Sequence, residues 1–168
     1  MGIDHSEKVQ YKTMPYHSRV WIYQANRYFS GKESEDIKKK SDLFVEQWTS
    51  HSQRMNACIE IFYNRFIVVM ADETTAPASG CGIDKSVHFI KQLEKEYSVN
   101  LFDRMQVVYK KEGTLQSCNL SQFEQLIAEG KIDENTIVFN NLVSTRQEME
   151  TGWEVPLKQS WHKKLIQQ

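Results

Sequence analysis

The sequence predicts an α+β fold: a ferredoxin-like βαββαβ core with a C-terminal α/β extension covering the sheet, in a single domain spanning 1–168. Three observations carry this. Hydrophobic patterning over residues 18–112 runs strand, helix, strand, strand, helix, strand. The two strands that would lie innermost, RVWIYQA from Arg19 and RFIVVMA from Arg65, are the most apolar of the four. Both place apolar groups on successive residues, so both faces of the sheet need cover. The extension, residues 113–168, supplies Phe139, Trp153 and Trp161 as the expected cover, with a homodimer partner as the alternative.

Residues 1–18 are polar, carry Pro15, and read as an extended or loose arm. Arg19 to Arg27 is rich in aromatic and β-branched residues, as strands are. After it, Ser30 or Ser34 caps a helix whose first turns hold Glu33, Glu35 and Asp36 and whose apolar stripe is Ile37, Leu43, Phe44, Val45 and Trp48. NACIEIFY alternates from Asn56 to Tyr63, Asn64 tolerates a tight turn, and Arg65 to Ala71 forms the next strand. A loop with Pro77 leads into the second helix, ending near Ser98. MQVVYKK, from Met105, is the fourth strand, closed by the turn Glu112-Gly113.

In the extension, Thr114 to Cys118 continues a hairpin from strand four. Ser121 with Glu124 has capping-box spacing, and Gly130 stands where a glycine ends a helix. Asn135 to Val143 reads as a strand. The tail with Pro156, Trp161 and His162 reads as mostly irregular.

The composition, 40% hydrophobic and 26% charged, is that of an ordinary globular chain. A net charge of −1 argues against strong non-specific nucleic-acid binding, which depends on phosphate neutralisation. No run of 18 apolar residues is present, so no membrane association is expected, and the polar N-terminus carries no signal-peptide pattern. Gly2 with Ser6 fits only the loose myristoylation pattern. Cys58, Cys81 and Cys118 form neither a disulfide framework nor a zinc motif, so reduced thiols and a cytoplasmic setting are expected. No metal or cofactor is expected. His5, His17, His51 and His162 are scattered without metal spacing, although Ser160-Trp161-His162 is a combination that can line a site.

Chemistry concentrates in ASGCGIDKSVHFIKQLEKEYS, from Ala78 to Ser98. SGCGIDKS has the strand-loop-helix setting of a phosphate loop. That motif needs glycines at both ends so that backbone N–H groups approach phosphate. Here Ser79 and Asp84 occupy those positions, so the reading fails. On a helical wheel Ile83, Val87, Ile90, Leu93 and Tyr97 form the buried stripe, while Cys81, Asp84 and His88 share the opposite flank with Lys85 beside them. Cys81 and His88 stand roughly 10 Å apart along the axis, too far for a thiol–imidazole dyad. Asp84 and His88 are within reach at i, i+4. Two readings stay open. Ser79, Cys81, Asp84, Lys85 and His88 hold a small anionic ligand at the helix start, where Cys81 is the candidate nucleophile. Alternatively, Ser79 or Asp84 simply caps the helix and the chain is a protein-interaction or self-association module. An RNA-recognition sheet is disfavoured: Trp21, Tyr23 and Phe66 are aromatic, but Phe66 to Met70 lacks the glycine and repeated aromatics of that module.

SRVWIYQANR, EIFYNRFIVV, SGCGIDKSVHFI, NTIVFNNLV, WEVP and SWH, spread from Ser18 to His162, resemble a family of short Bacteroidetes proteins labelled "ABC transporter ATPase". The resemblance implies a cytoplasmic bacterial setting. The label implies an ATP-binding phosphate loop and an LSGGQ signature, and this sequence has neither.

Overall fold

A computed structural model describes residues 9–74 and 76–166. The Gly2–Ser6 pattern and His5 lie outside the described residues. Helices and antiparallel sheets are mixed along the chain, which divides into two compact units, Met1–Phe102 and Asp103–Gln168.

The first unit contains α1 (Val9–Thr13), β1 (Arg19–Gln24), α2 (Gly31–Gln47), the hairpin β2 (Thr49–Ser50) and β3 (Gln53–Arg54), β4 (Asn56–Phe62), β5 (Phe66–Asp72) and α3 (Gly80–Tyr97). Its main sheet has the order β1-β5-β4, antiparallel throughout, with Val20 and Cys58 both opposite Met70. β1 and β4 therefore run parallel on either side of β5, with α2 as the crossover. The β4–β5 reversal uses Tyr63 and Asn64 in left-handed geometry, one residue earlier than the expected Asn64-Arg65 turn.

One sheet face carries Tyr23, Ile59, Ile61, Ile67, Val69 and Ala71 in the same core as Ile37, Trp48, Ile90 and Leu93 of the helical side. Phe44 of α2 and Phe89 of α3 stack at 4.5 Å and 7°. The other face is buried too, through Val20, Cys58, Phe62, Phe66, Val68 and Met70. This accounts for strands that do not alternate. On that face Tyr11 of α1 meets Phe62 edge-on at 5.4 Å. The arm expected to be loose is thus helical over Val9–Thr13 and packs on β4. At the β4 edge, Lys38 donates to the Ile59 carbonyl at 3.0 Å and to Glu60 and Asp42, placing a cation where an open strand edge is exposed to pairing.

The second unit contains β6 (Gln106–Lys111), β7 (Thr114–Asn119), α4 (Leu120–Ala128), β8 (Ile137–Phe139), α5 (Arg146–Gly152) and β9 (Glu154–Pro156), followed by 3₁₀ turns at Leu157–Gln159 and Trp161–Leu165. Its sheet has the order β7-β6-β8-β9. Here the sequence expectation is corrected. The strand expected to complete a ferredoxin-like sheet beside β1 lies in this second sheet, so the strand order differs. The cause is local. Glu112 and Gly113 both take positive φ, 52° and 80°, which makes a tight turn that zips β6 onto β7 from Lys111 opposite Thr114. β8 takes the other edge of β6, and no edge remains for β1.

Two smaller expectations shift as well. The α4 capping box is Asn119 with Gln122, not Ser121 with Glu124. Asparagine caps as well as serine and glutamine serves the third position as well as glutamate, so the pair two residues earlier wins. The tail is not irregular: Thr145 caps α5 through the Glu148 N–H, and Glu154–Pro156 pairs with β8.

Candidate functional site

α3 begins at Gly80, and its deepest positions are Gly82, Ser86, Ile90 and Leu93, an i, i+4, i+8 stripe one residue out of phase with the expected Ile83 and Val87. Small residues at the start let the helix approach β2 closely. A Cβ at Gly82 would stand 3.1 Å from Ser50 Cβ and Oγ, a tight contact that would push Ser50 aside. The Trp48 indole N–H donates to the Gly82 carbonyl at 2.9 Å in a buried setting. Lys85 Nζ donates to the Thr49 carbonyl at 3.0 Å and to its hydroxyl at 3.1 Å.

Ser79 occupies the N-cap position with extended backbone, φ −65° and ψ 172°. Its side chain nevertheless does not cap. The Ser79 hydroxyl pairs with that of Ser50 at 2.8 Å. The first backbone bond of the helix is Ile83 N–H to the Ser79 carbonyl. The N–H groups of Gly80, Cys81 and Gly82 therefore point along the helix axis with no side-chain acceptor among the described residues.

Cys81, Asp84, Lys85 and His88 are all exposed, and Ser79 is half-buried. The structure thus keeps the expected flank on one side of α3, but it does not weld that flank into a catalytic set. Asp84 and His88 do not bond; His88 Nε2 lies 3.4 Å from the Gln92 amide nitrogen. Cys81 is a free, exposed thiol. No group of three or more His, Cys, Asp or Glu among the described residues is placed to hold a metal ion. No helix among the described residues is long and apolar enough to cross a membrane.

A second polar cluster stands where β5 ends and its chain turns toward α3. Asp72 is buried. Its Oδ1 accepts from the Thr74 N–H at 3.0 Å, the Thr74 hydroxyl at 2.7 Å and His17 Nε2 at 3.2 Å. The Asn56 amide lies 3.5 Å from Oδ2. The Thr74 N–H and then its hydroxyl hold this carboxyl below the usual carboxylate range, against the opposing effect of burial, and His17 adds a smaller pull. Sequence reading missed the pair. Asp72-Glu73-Thr74 carries a legible Asx-turn signal, but His17 lies 55 residues away and no spacing rule reaches it.

Ser160-Trp161-His162 is not a site wall. His162 is buried, its Nδ1 lies 2.6 Å from the Ser160 hydroxyl, and its ring stacks on Trp161 at 3.9 Å and faces Phe123 at 5.8 Å. Burial pushes the imidazole down to about 4, so it is a neutral core group. Trp153 is likewise core, edge-on to Phe139 at 5.2 Å, with its N–H on Asn141.

No family model matches the chain, and no curated protein or solved structure matches it either.

Proposed function

We propose that the start of α3 binds a small anionic ligand and that this binding, without covalent chemistry, is the activity of the first unit. The observation that carries the reading is the diversion of the Ser79 hydroxyl to Ser50. It leaves the positive end of an 18-residue helix without the one acceptor its N-cap residue could supply. Lys85 adds an exposed cation one turn in, and its Thr49 contacts hold it near the helix start. Gly80 is exposed and carries no side chain to shield the donors. Asp84 is an anion on the neighbouring turn, and it favours a ligand of low charge over a polyphosphate.

The reading is tested by titrating the chain with inorganic phosphate and following backbone amides by NMR. Saturable shifts at Gly80, Cys81 and Gly82 are expected. Ser79→Asp, which supplies a tethered carboxylate to the same donors, is expected to abolish them. Unchanged phosphate shifts in Ser79→Asp would refute the assignment.

A further inference from the structure

Two elements of the first unit compete for one hydroxyl. Ser79 and Ser30 are both N-cap serines with nearly the same backbone, φ −65° and ψ 172° against φ −67° and ψ 162°. At Ser30 this geometry aims the side chain at the N–H three residues on, and the hydroxyl accepts from Glu33 at 3.1 Å. The corresponding donor for Ser79 is the Gly82 N–H. The Ser79 backbone is thus already set for capping. Rotation about χ1 separates that cap from the 2.8 Å contact with Ser50.

The partner hydroxyl sits on a weakly held element. β2 and β3 have two residues each, and a hairpin of that size is not stable by itself in water. The turn between them puts His51 at φ 52° and Ser52 at φ 66°, left-handed geometry that strains a residue with a side chain. The base of the hairpin is fixed, because the Met55 N–H donates to the Trp48 carbonyl at 2.9 Å and the Trp48 indole is bonded to Gly82. Beyond Trp48, polar contact with α3 runs through the Lys85 bonds to Thr49 and the Ser50–Ser79 pair. Lys85 is exposed and Ser50 is buried, so the hydroxyl pair is the better shielded of the two.

Docking of the hairpin and capping of the helix are therefore alternatives. With the hairpin docked, Ser79 faces Ser50 and the helix start is uncapped. With the hairpin lifted, Ser79 loses that partner and turns to the Gly82 N–H. We propose that the β2–β3 hairpin regulates the anion site at the start of α3, holding it open through Ser50 and letting Ser79 close it on release. This rests on the anion-binding reading above. Linkage then requires a bound anion to tighten the hairpin onto the helix.

The test uses the full chain, ¹⁵N NMR and inorganic phosphate as the probe. Ser50→Ala removes the hydroxyl and keeps the Cβ that stands beside Gly82. Without phosphate, the Gly82 amide of this variant is expected to move downfield as the cap forms. Its phosphate affinity is expected to fall about fivefold. Adding Ser79→Ala removes the cap and is expected to restore the affinity of the unmodified chain, a recovery that mere loosening of the fold would not give. In the unmodified chain, phosphate is expected to slow hydrogen exchange of the Gln53 amide, which lies opposite Ser50. An unmoved Gly82 amide or unchanged affinity in Ser50→Ala, a double variant as weak as the single one, or Gln53 exchange indifferent to saturating phosphate overturns the proposal and leaves the anion reading standing. Absence of saturable phosphate shifts in the unmodified chain overturns both.

Discussion

The helices α2 and α3 belong to one unit, stack through Phe44 and Phe89, and each have a serine at the N-cap, yet their first turns are finished in opposite ways. At α2 the Ser30 hydroxyl accepts the Glu33 N–H at 3.1 Å and Glu33 accepts the Ser30 N–H at 2.9 Å, while Arg27 grips both Glu33 oxygens at 2.9 Å. Two of the backbone donors at this helix start are met by local side chains, and a carboxylate already stands there. At α3 the serine in the equivalent position turns away to Ser50, and no acidic residue stands in the first turn. The donors that a cap would satisfy are left without it. A helix start capped by its own sequence neighbours already holds an anionic side chain where an external anion would sit. A start whose cap is drawn into a long-range contact keeps its partial charge for an external group.

The largest expected pH effect lies outside both helices and bounds the conditions for comparing them. His162 is neutral and buried at about 4 against an unfolded value near 6.5. Between those values the unfolded chain binds the extra proton. Stability is therefore full above pH 6.5, falls as pH drops to 4, and is flat below, a loss of about 3 kcal/mol. Urea unfolding across pH 4–7, monitored through the second-unit tryptophans, measures this slope.

Gly82→Val tests how closely α3 must approach β2. The added Cβ meets Ser50 at 3.1 Å, and the Trp48–Gly82 bond lies beside it. Overpacking of this kind costs about 1–3 kcal/mol, visible in the urea midpoint. A cost near zero would mean that the helix start is not held against the hairpin.

How much of this was legible in the sequence follows the range of the interactions. The α2 box lies within four residues, and Ser30 is one of the two serines that the sequence offers as its cap. The exposed flank of α3 followed from helical spacing, and Cys81, Asp84, Lys85 and His88 do face solvent. The Ser79–Ser50 pair spans 29 residues and the His17–Asp72 pair 55, distances over which a single sequence gives no pairing signal. The placement of β6 failed for a different reason. The Glu112-Gly113 turn and the hairpin after it are legible, but a hairpin on one edge of β6 leaves open which strand takes the other edge, and that edge goes to β8. In the tail, Thr145 with Glu148 three residues on is a capping signature legible at short range.

Removing the α2 cap sharpens the contrast at moderate cost. Ser30→Ala is expected to destabilise by about 1 kcal/mol. Glu33 is held at about 2, first by Arg27 and then by the Ser30 N–H. Its folded value is depressed, so its contribution is complete above about pH 4.5 and is lost as pH falls toward 2. With a partly exposed side chain, screening reduces that contribution to about 1 kcal/mol. The Ser30 amide shift should follow this titration, and no acidic cap exists to impose one on Gly80 or Cys81. The smallest effect is a gain: Ser79→Asp places a carboxylate at the unserved start and is expected to add about 0.5 kcal/mol. A net loss in the urea midpoint would show that the Ser50 contact outweighs the open donors.

The most direct measurement is a phosphate titration of the unmodified chain that reads the first-turn amides of both helices in one spectrum. The Gly80, Cys81 and Gly82 amides are predicted to shift saturably while those of Gly31, Lys32 and Glu33 stay still. Equal, non-saturating shifts at the two helix starts would contradict the claim that α3, and not α2, is built to hold an anion.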